Sequence, residues 1–223
     1  MSSSKPGSTL RYRFHTREFG DLDIHYRTLR DRNQFSDVDQ AAEKLGVSPA
    51  SWPLFGMLWQ AGEVLALYMA DFELSGQRIL EVGCGVGLAS LVLNKRGADI
   101  SATDYHPSAE AHLDYNSELN GDRKIPFLRS AWQDQAEDAF GSFDVIIASD
   151  VMFEPDHAGQ LVAFLQSYAR PNCQIILADA GRGYKNQFIR SLTALGFSHD
   201  ELPPIKPFTD SEHYKGKLLS FRR

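Results

Sequence analysis

The stretch ILEVGCGVGLA at residues 79–89 constrains the fold more than any other part of the sequence. It begins in an apolar run, RILEV (78–82), which favours a β-strand, and it leads into GLASLVLNKRG (87–97), which favours a helix. Between the two stand three glycines at every second position, so the main chain there can approach a ligand closely. A strand, a glycine-rich turn and a helix start predict a ligand site at the helix N-terminus, where unpaired N–H groups point outward.

The sequence after residue 78 alternates short apolar runs with helical patterns. The segment FDVIIASD (143–150) is nearly continuous in apolar residues, which is typical of a strand buried on both faces. Strands that alternate with helices form βαβ units, so we predict an α/β protein with an open, mostly parallel sheet and helices on both faces. Further strands are predicted at 99–104, 125–130 and 173–179 and in the tail GKLLSFRR.

Residues 1–75 follow a different pattern. Two β-leaning runs within 10–30 favour a hairpin. A short helix is predicted within 38–48 and an amphipathic helix within 53–74. We therefore predict two parts, an N-terminal extension of hairpin and helices (1–75) and a ligand-binding core (76–223) on which the extension packs.

The composition restricts where such a protein acts. The 223 residues contain no apolar run near the roughly 18 residues of a membrane-spanning helix, and the first residues lack the apolar stretch of a secretory signal. We therefore expect a cytoplasmic protein without membrane contact. The two cysteines form no CxxC or His/Cys cluster, so no metal site is predicted. The net charge of −6 argues against nucleic-acid binding through a general basic field.

Three kinds of nucleotide cofactor compete for the glycine turn. A P-loop is excluded because no lysine follows the glycines, and a dinucleotide fingerprint is disfavoured because Leu88 stands at its third glycine. Glu81 suits a cationic amine better than a phosphate, and S-adenosyl-L-methionine (SAM) carries such an amine and no phosphate. Asp104 ends the next predicted strand, where a carboxylate can accept hydrogen bonds from both hydroxyls of a ribose.

The spacing of the glycine turn and its two flanking acids resembles that of the class I SAM-dependent methyltransferases, over about residues 50–200. The resemblance implies a Rossmann-like, doubly wound, seven-stranded sheet with an antiparallel strand near its C-terminus, a place that the tail would fill. By that likeness Gly83, Gly85 and Gly87 line the methionine and ribose of SAM, and Asp104 holds the ribose hydroxyls.

The same likeness implies cofactor contacts beyond the next two strands. Tyr105 would lie against adenine, and the segment SAWQD (130–134) would supply contacts to the adenine edge through Ala131, Trp132 or Asp134. For Trp132, packing in the core is an equal alternative.

The segment after the fourth core strand bears on the methyl acceptor. It reads ASDVMF (148–153), without the Asn/Asp-Pro-Pro-Tyr/Phe motif of methyltransferases that act on adenine amines or glutamine amides. It resembles instead the Asp-x-x-Tyr/Phe motif of the seven-β-strand protein-lysine methyltransferases. That likeness implies that Asp150 and Phe153 border the acceptor lysine as catalytic residues, and that Trp59 and Ser149 border SAM. Phe153 departs from the commoner Tyr and lacks its hydroxyl.

The chemistry agrees with an amine acceptor without singling out a lysine. A carboxylate such as Asp150 stabilises the charge that grows on nitrogen, but it also stabilises the unreactive ammonium. A strand-end role for Asp150 and a core role for Phe153 stay open, as do a small-molecule N- or O-methyltransferase and a non-catalytic SAM-binding module. We predict a SAM-dependent methyltransferase that N-methylates a protein lysine or a similar amine.

Overall fold

The structure is a computed structural model that describes residues 10–134, 140–154, 156–209 and 212–223. The first nine residues of the predicted N-terminal extension lie outside the described residues. The strands in chain order are β1 (Tyr12–Phe19), β2 (Leu22–Leu29), β3 (Arg78–Val82), β4 (Asp99–Asp104), β5 (Phe127–Arg129), β6 (Phe143–Ser149), β7 (Ala169–Asp179), β8 (Ser198–Glu201) and β9 (Lys217–Arg222).

Strands β3 to β9 form one seven-stranded sheet with the order β5-β4-β3-β6-β7-β9-β8. Parallel pairing joins β5, β4, β3, β6 and β7, whereas β9 runs antiparallel to both of its neighbours, β7 and β8. The predicted mostly parallel α/β sheet with an antiparallel C-terminal strand is therefore confirmed. Strand β8 escapes prediction because its sequence, SHDE, is exposed along its whole length and shows no apolar period.

The helices in chain order are α1 (Ala41–Lys44), a 3-10 helix (Trp52–Gly56), α2 (Gln60–Asp71), α3 (Leu88–Lys95), α4 (Ala109–Leu119), α5 (His157–Tyr168) and α6 (Lys185–Ala194). The helix predicted within 38–48 is the single turn α1, and the one predicted within 53–74 is α2. Helix α2 begins only at Gln60 because Trp59 is extended, with φ −98° and ψ 148°. Across the described residues, no helix combines the length and apolar character needed to cross a membrane.

The central strands of the sheet are buried on both faces. In β6, Val145 and Ile147 pack on the side of α2 and α3, while Ile146 and Ala148 pack on the side of α5 and α6. Successive side chains of a strand point to opposite faces, so a strand that is covered twice needs an uninterrupted apolar run. The two layers of helices fix the carboxyl ends of β3, β4 and β6 against one another, at the edge where the ligand site is predicted.

The predicted hairpin is present as β1 and β2, and it packs on α3 and α4. Asn116 of α4 and Asn120, the C-cap residue that follows this helix, bind the edge of β2 that faces away from β1. The side-chain oxygen of Asn120 accepts the N–H of His25 at 2.8 Å, and its amide group donates to the His25 carbonyl oxygen at 2.7 Å. Asn116 accepts the N–H of Arg27 at 2.9 Å. Side-chain amides thus satisfy backbone groups that an edge strand otherwise leaves unpaired.

Candidate cofactor and acceptor site

A cavity of about 520 Å³ lies at the carboxyl ends of β3, β4 and β6. It is bordered by the glycine turn, the end of β4, the segment after β5 and the end of β6. Apart from Asp134, the site residues predicted from the sequence line it, namely Trp59, Glu81, Gly83, Gly85, Gly87, Asp104, Tyr105, Ala131, Trp132, Ser149, Asp150 and Phe153. The fold brings the predicted cofactor and acceptor residues to one place, and their individual roles stay predictions.

The glycine turn requires glycine for two reasons. Gly83, Gly85 and Gly87 adopt φ values of 63°, 53° and 74°, in the left-handed region that other residues enter only with strain. A β-carbon would also meet neighbouring atoms: at Gly83 it would lie 2.7 Å from a methyl of Val151, and at Gly85 it would lie 3.0 Å from the carbonyl oxygen of Phe55. The main chain of the turn is therefore packed closely against Val151 and Phe55, and all three glycines line the cavity.

Glu81 lies buried under the turn and joins β3 to α3. Its Oε2 accepts hydrogen bonds from the backbone N–H of Ser90, at 2.9 Å, and from the Ser90 hydroxyl. Burial raises the pKa of Glu81 to about 7, although both bonds from Ser90 oppose that rise. Oε1 accepts no hydrogen bond from the described residues, so this oxygen is available to a ligand in the cavity.

Asp104 ends β4 and fixes the shape of the glycine turn. Its Oδ2 accepts the N–H of Gly85 at 2.9 Å, and its Oδ1 accepts the N–H of His106 at 2.8 Å. Burial raises the pKa of this carboxyl, and the two N–H groups act against the rise. Each carboxylate oxygen has a second lone pair, so Asp104 can still accept one hydroxyl on either oxygen.

The side of the cavity next to β4 and β5 holds the residues predicted to contact adenine. The hydroxyl of Tyr105 donates to the carbonyl oxygen of Leu45, which ties this side to the segment after α1. The N–H of Ala131 donates to the Asp134 carboxylate at 2.7 Å. The Trp132 ring meets the ring of His157 edge-on, with 5.2 Å between centroids. Trp132 therefore both packs against neighbouring side chains and lines the cavity.

The side of the cavity predicted to border the acceptor is built on the end of β6. Asp150 follows the strand with φ 52°, a left-handed conformation that non-glycine residues adopt rarely. Val151 and Met152 turn into the core, whereas the ring of Phe153 remains 47% exposed and meets the ring of His157 edge-on at 4.5 Å. A core role for Phe153 therefore does not agree with its exposure.

The structure adds one residue that sequence reasoning missed. Arg182 pairs with Asp150 in a two-pronged contact, Nε to Oδ1 at 2.6 Å and Nη2 to Oδ2 at 2.7 Å. Its guanidinium also lies 5.9 Å from the ring centre of Trp59. The signal in the sequence is DAGRGY (179–184), an arginine between two glycines directly after a buried strand. Such a residue extends from the same sheet edge as Asp150.

One family model, described as Lysine methyltransferase, matches residues 53–194, which is more than half of the chain. The match begins at the 3-10 helix before Trp59 and ends with α6, so it contains the whole cavity apart from the lining residues within 46–51.

The chain is also similar to curated methyltransferases. It is 28% identical over 144 residues to the electron transfer flavoprotein beta subunit lysine methyltransferase of Mus musculus, covering 63% of this chain and 55% of that protein. It is 24% identical over 148 residues to protein N-lysine methyltransferase METTL21A of Danio rerio, covering 63% of this chain and 64% of that protein. The chain thus spans somewhat more than half the length of these relatives.

Solved structures share the fold. The magnesium protoporphyrin IX methyltransferase of Synechocystis PCC 6803, solved with bound SAM, aligns with a TM-score of 0.56 and 23% identity over 73% of this chain and 77% of that one. The 16S rRNA N2 G1207 methyltransferase of T. Thermophilus aligns with a TM-score of 0.65 and 17% identity over 96% of this chain and 51% of that one. The resemblance drawn from the sequence is confirmed: this chain belongs to the lysine methyltransferase family, within the class I SAM-dependent methyltransferases.

Proposed function

We propose that this protein transfers a methyl group from SAM to the ε-amine of a lysine in a protein substrate. The observation that carries the proposal is Asp150, a carboxylate beside the cofactor cavity that already holds a cationic side chain, Arg182. A carboxylate that binds a guanidinium near the exposed ring of Phe153 has the chemistry to bind the ammonium of lysine. The family, and relatives that are lysine methyltransferases by name, support the same acceptor.

The cavity fits SAM by the groups that it offers. The three glycines of the turn allow the cofactor to approach the main chain, the spare lone pairs of Asp104 suit two ribose hydroxyls, and Oε1 of Glu81 suits the cationic amine. A phosphate beside Glu81 would be repelled whenever that carboxyl is ionised.

The remaining cavity residues are assigned to the two ends of SAM. We assign Tyr105, Ala131 and Trp132 to adenine, and Trp59 and Ser149 to the border between cofactor and acceptor. Because Asp134 accepts the N–H of Ala131, a hydrogen bond from this N–H to adenine requires Asp134 to release it.

The acceptor side has to orient an amine and to stabilise its charge. SAM, when bound, supplies a methyl group that its sulfonium has already activated. The neutral amine must lie in line with that methyl carbon, and lysine has a reference pKa of about 10.4, so a proton has to leave first. We propose that Asp150 holds the amine by hydrogen bonding and stabilises the charge that returns to nitrogen during transfer. Phe153 covers one side of the amine with its ring, and water at this exposed rim takes the proton.

The surroundings of the site complete the proposal. Residues 1–75 act as an extension of the 76–223 core, supported by the bonds from Asn116 and Asn120 to β2.

The two cysteines of the chain are free and buried, which is consistent with a reducing compartment such as the cytoplasm.

The experiment that tests the function is transfer of labelled methyl groups. The purified protein is incubated with methyl-labelled SAM and a cell lysate, and the products are separated by gel and identified by mass spectrometry. We expect label on lysine in one or a few protein bands, with loss of labelling in Asp104→Ala as the control for cofactor dependence. Label that appears only in small molecules, or on no acceptor, would overturn the proposal.

A further inference from the structure

The two side chains of the Asp150–Arg182 pair differ in their exposure to solvent. The side chain of Asp150 is only 7% exposed, whereas that of Arg182 is 42% exposed. Two charge-assisted hydrogen bonds, with donor–acceptor distances of 2.6 Å and 2.7 Å, occupy both oxygens of the carboxylate. The arginine therefore covers the carboxylate of Asp150 from the direction of solvent.

Arg182 is attached in a way that lets it move without disturbing the core. It stands between Gly181 and Gly183, which have φ values of 82° and 99°, in the turn between β7 and α6. The C-terminal part of strand β7 is buried as far as Asp179, so the turn begins at a fixed residue. Residues 181–183 of the turn are exposed. The guanidinium also lies 5.9 Å from the ring centre of Trp59, which carries the guanidinium of Arg32 at 4.7 Å as well.

From this arrangement we infer that Arg182 determines acceptor specificity, because it occupies the place of the substrate ammonium on Asp150 until a docked acceptor lysine displaces it. This inference rests on the proposed function, since it requires Asp150 to receive the acceptor amine. An isolated amine gains little by exchanging one cation for another on the same carboxylate. A lysine within a protein surface that makes further contacts has additional binding free energy to complete the exchange. Arg182 thus disfavours free amines and favours lysines presented by a docked protein.

The contact is more than a surface ion pair that stabilises the fold. Exposed ion pairs contribute roughly 0–1 kcal/mol to stability. Here the Asp150 side chain is nearly buried, and Asp150 itself adopts a φ of 52°, which is strained for aspartate. With this left-handed backbone, Asp150 lies in the cavity lining, where its carboxylate meets a side chain from the turn after β7.

The first test compares Arg182→Met with the wild type, using Nα-acetyl-lysine methylamide as a short acceptor. Removing the competing cation is expected to raise kcat/KM for this probe by about three- to ten-fold. Arg182→Lys, which keeps the charge but loses the planar fork, is expected to lie between the two. Arg190→Met is the matched control, because Arg190 is an exposed arginine of α6 outside the cavity lining, and its loss changes the net charge equally. The affinity for SAM and the melting temperature establish that each variant is folded.

The second test detects the exchange without methyl transfer. In ¹⁵N-labelled protein, the Nε–H resonance of Arg182 is identified by its absence in Arg182→Met, and n-butylammonium is then added. Because a free amine gains little from the exchange, we expect this resonance to move toward the position that it has in Asp150→Asn, where the two-pronged pair is broken, only at high n-butylammonium concentration.

The outcomes separate the inference from the function beneath it. If the wild type methylates lysine but Arg182→Met gains nothing with the short probe, or loses activity, Arg182 does not compete and the inference is wrong. If saturating n-butylammonium shifts the resonances of residues around Asp150 but leaves that of Arg182 unchanged, the two cations do not compete and the inference is also wrong. If no form of the protein methylates lysine while n-butylammonium still displaces Arg182, the proposed function fails and the cation site on Asp150 remains.

Discussion

The two halves of the cavity are built by different means. On the side proposed for the cofactor, backbone N–H groups hold Glu81 and Asp104, and glycines shape the turn between them. On the side proposed for the acceptor, one side chain holds another, since Asp150 is bound by Arg182 from a separate turn. A site made by main chain keeps its shape without a ligand, whereas a site made by an exposed side-chain pair can be rearranged by one. The comparison suggests a rigid cofactor half that serves one ligand and an adaptable acceptor half that selects among many.

The largest effect is expected from removing the carboxylate at the end of β4. Asp104→Ala loses the two hydrogen bonds that the ribose hydroxyls are proposed to donate to this carboxylate, each worth about 1.5–3 kcal/mol, so SAM affinity should fall by about a hundred-fold or more. Isothermal titration calorimetry measures this loss. Asp99→Ala, at the exposed start of the same strand, is the matched control and should bind SAM normally. Normal binding in Asp104→Ala would remove this residue from the cofactor half.

A smaller effect, of another kind, is expected at the end of β6. Asp150→Asn keeps the shape of the side chain but removes the charge that stabilises the reacting nitrogen, so kcat/KM for a lysine acceptor should fall roughly ten- to a hundred-fold. The dissociation constant for SAM should change by less than about two-fold, because the two halves are held independently. An equal loss of SAM affinity in Asp150→Asn and Asp104→Ala would break the distinction between the halves.

The rigidity of the cofactor half can be measured as stability. Gly85→Ala forces a β-carbon into a left-handed backbone and against the carbonyl oxygen of Phe55, so it should lower the free energy of unfolding by about 1–3 kcal/mol. Gly97→Ala is the control, since its φ of 78° carries the same strain but its β-carbon would meet nothing within 4 Å. Chemical denaturation should show a smaller loss for Gly97→Ala, and equal losses would mean that the close packing at Gly85 contributes nothing.

The smallest expected effect is a pH dependence of cofactor binding. Burial raises the pKa of Glu81 to about 7, so this carboxyl is mostly neutral at pH 6 and mostly ionised at pH 7.5. The ionised form attracts the cationic amine of SAM, hence the affinity should be lower at pH 6 than at pH 7.5 by roughly five- to ten-fold. Titration calorimetry across this range tests it. Glu81→Gln has no charge to gain and should bind SAM with a nearly flat pH profile.

The sequence predicted the part of the molecule that depends on local pattern. Strand β4 and the end of β3 have the bounds expected from DISATD and RILEV, because an apolar run and a following acid or glycine are adjacent in the chain. The position of Asp104 at the cavity follows from the same rule, since parallel strands bring their carboxyl ends to one edge.

What the sequence could not predict depends on contacts between distant segments. Arg182 and Asp150 are 32 residues apart, and nothing near either residue specifies that their side chains meet. Strand β8 has four exposed residues, and it forms because it pairs with β9. A hydrophobic period in the sequence cannot indicate such pairing. In the same way, Asn120 looks like a helix-end residue from its neighbours alone, and only the folded chain gives it the edge of β2 as a partner.

That position of Asn120 has a consequence for chemical ageing. Asn120 precedes Gly121, and in flexible chains an Asn-Gly pair is prone to deamidation, in which the following backbone nitrogen attacks the side-chain carbonyl. Here the Gly121 N–H donates to the carbonyl oxygen of Glu118 at 3.0 Å, and both ends of the Asn120 amide are bound by His25. The β1–β2 hairpin therefore protects the Asn120 side chain that holds it in place. If the hairpin detaches, deamidation would replace the amide of Asn120 with a carboxylate, which would repel the carbonyl oxygen of His25. The hairpin could then no longer pack back, and a reversible detachment would become permanent.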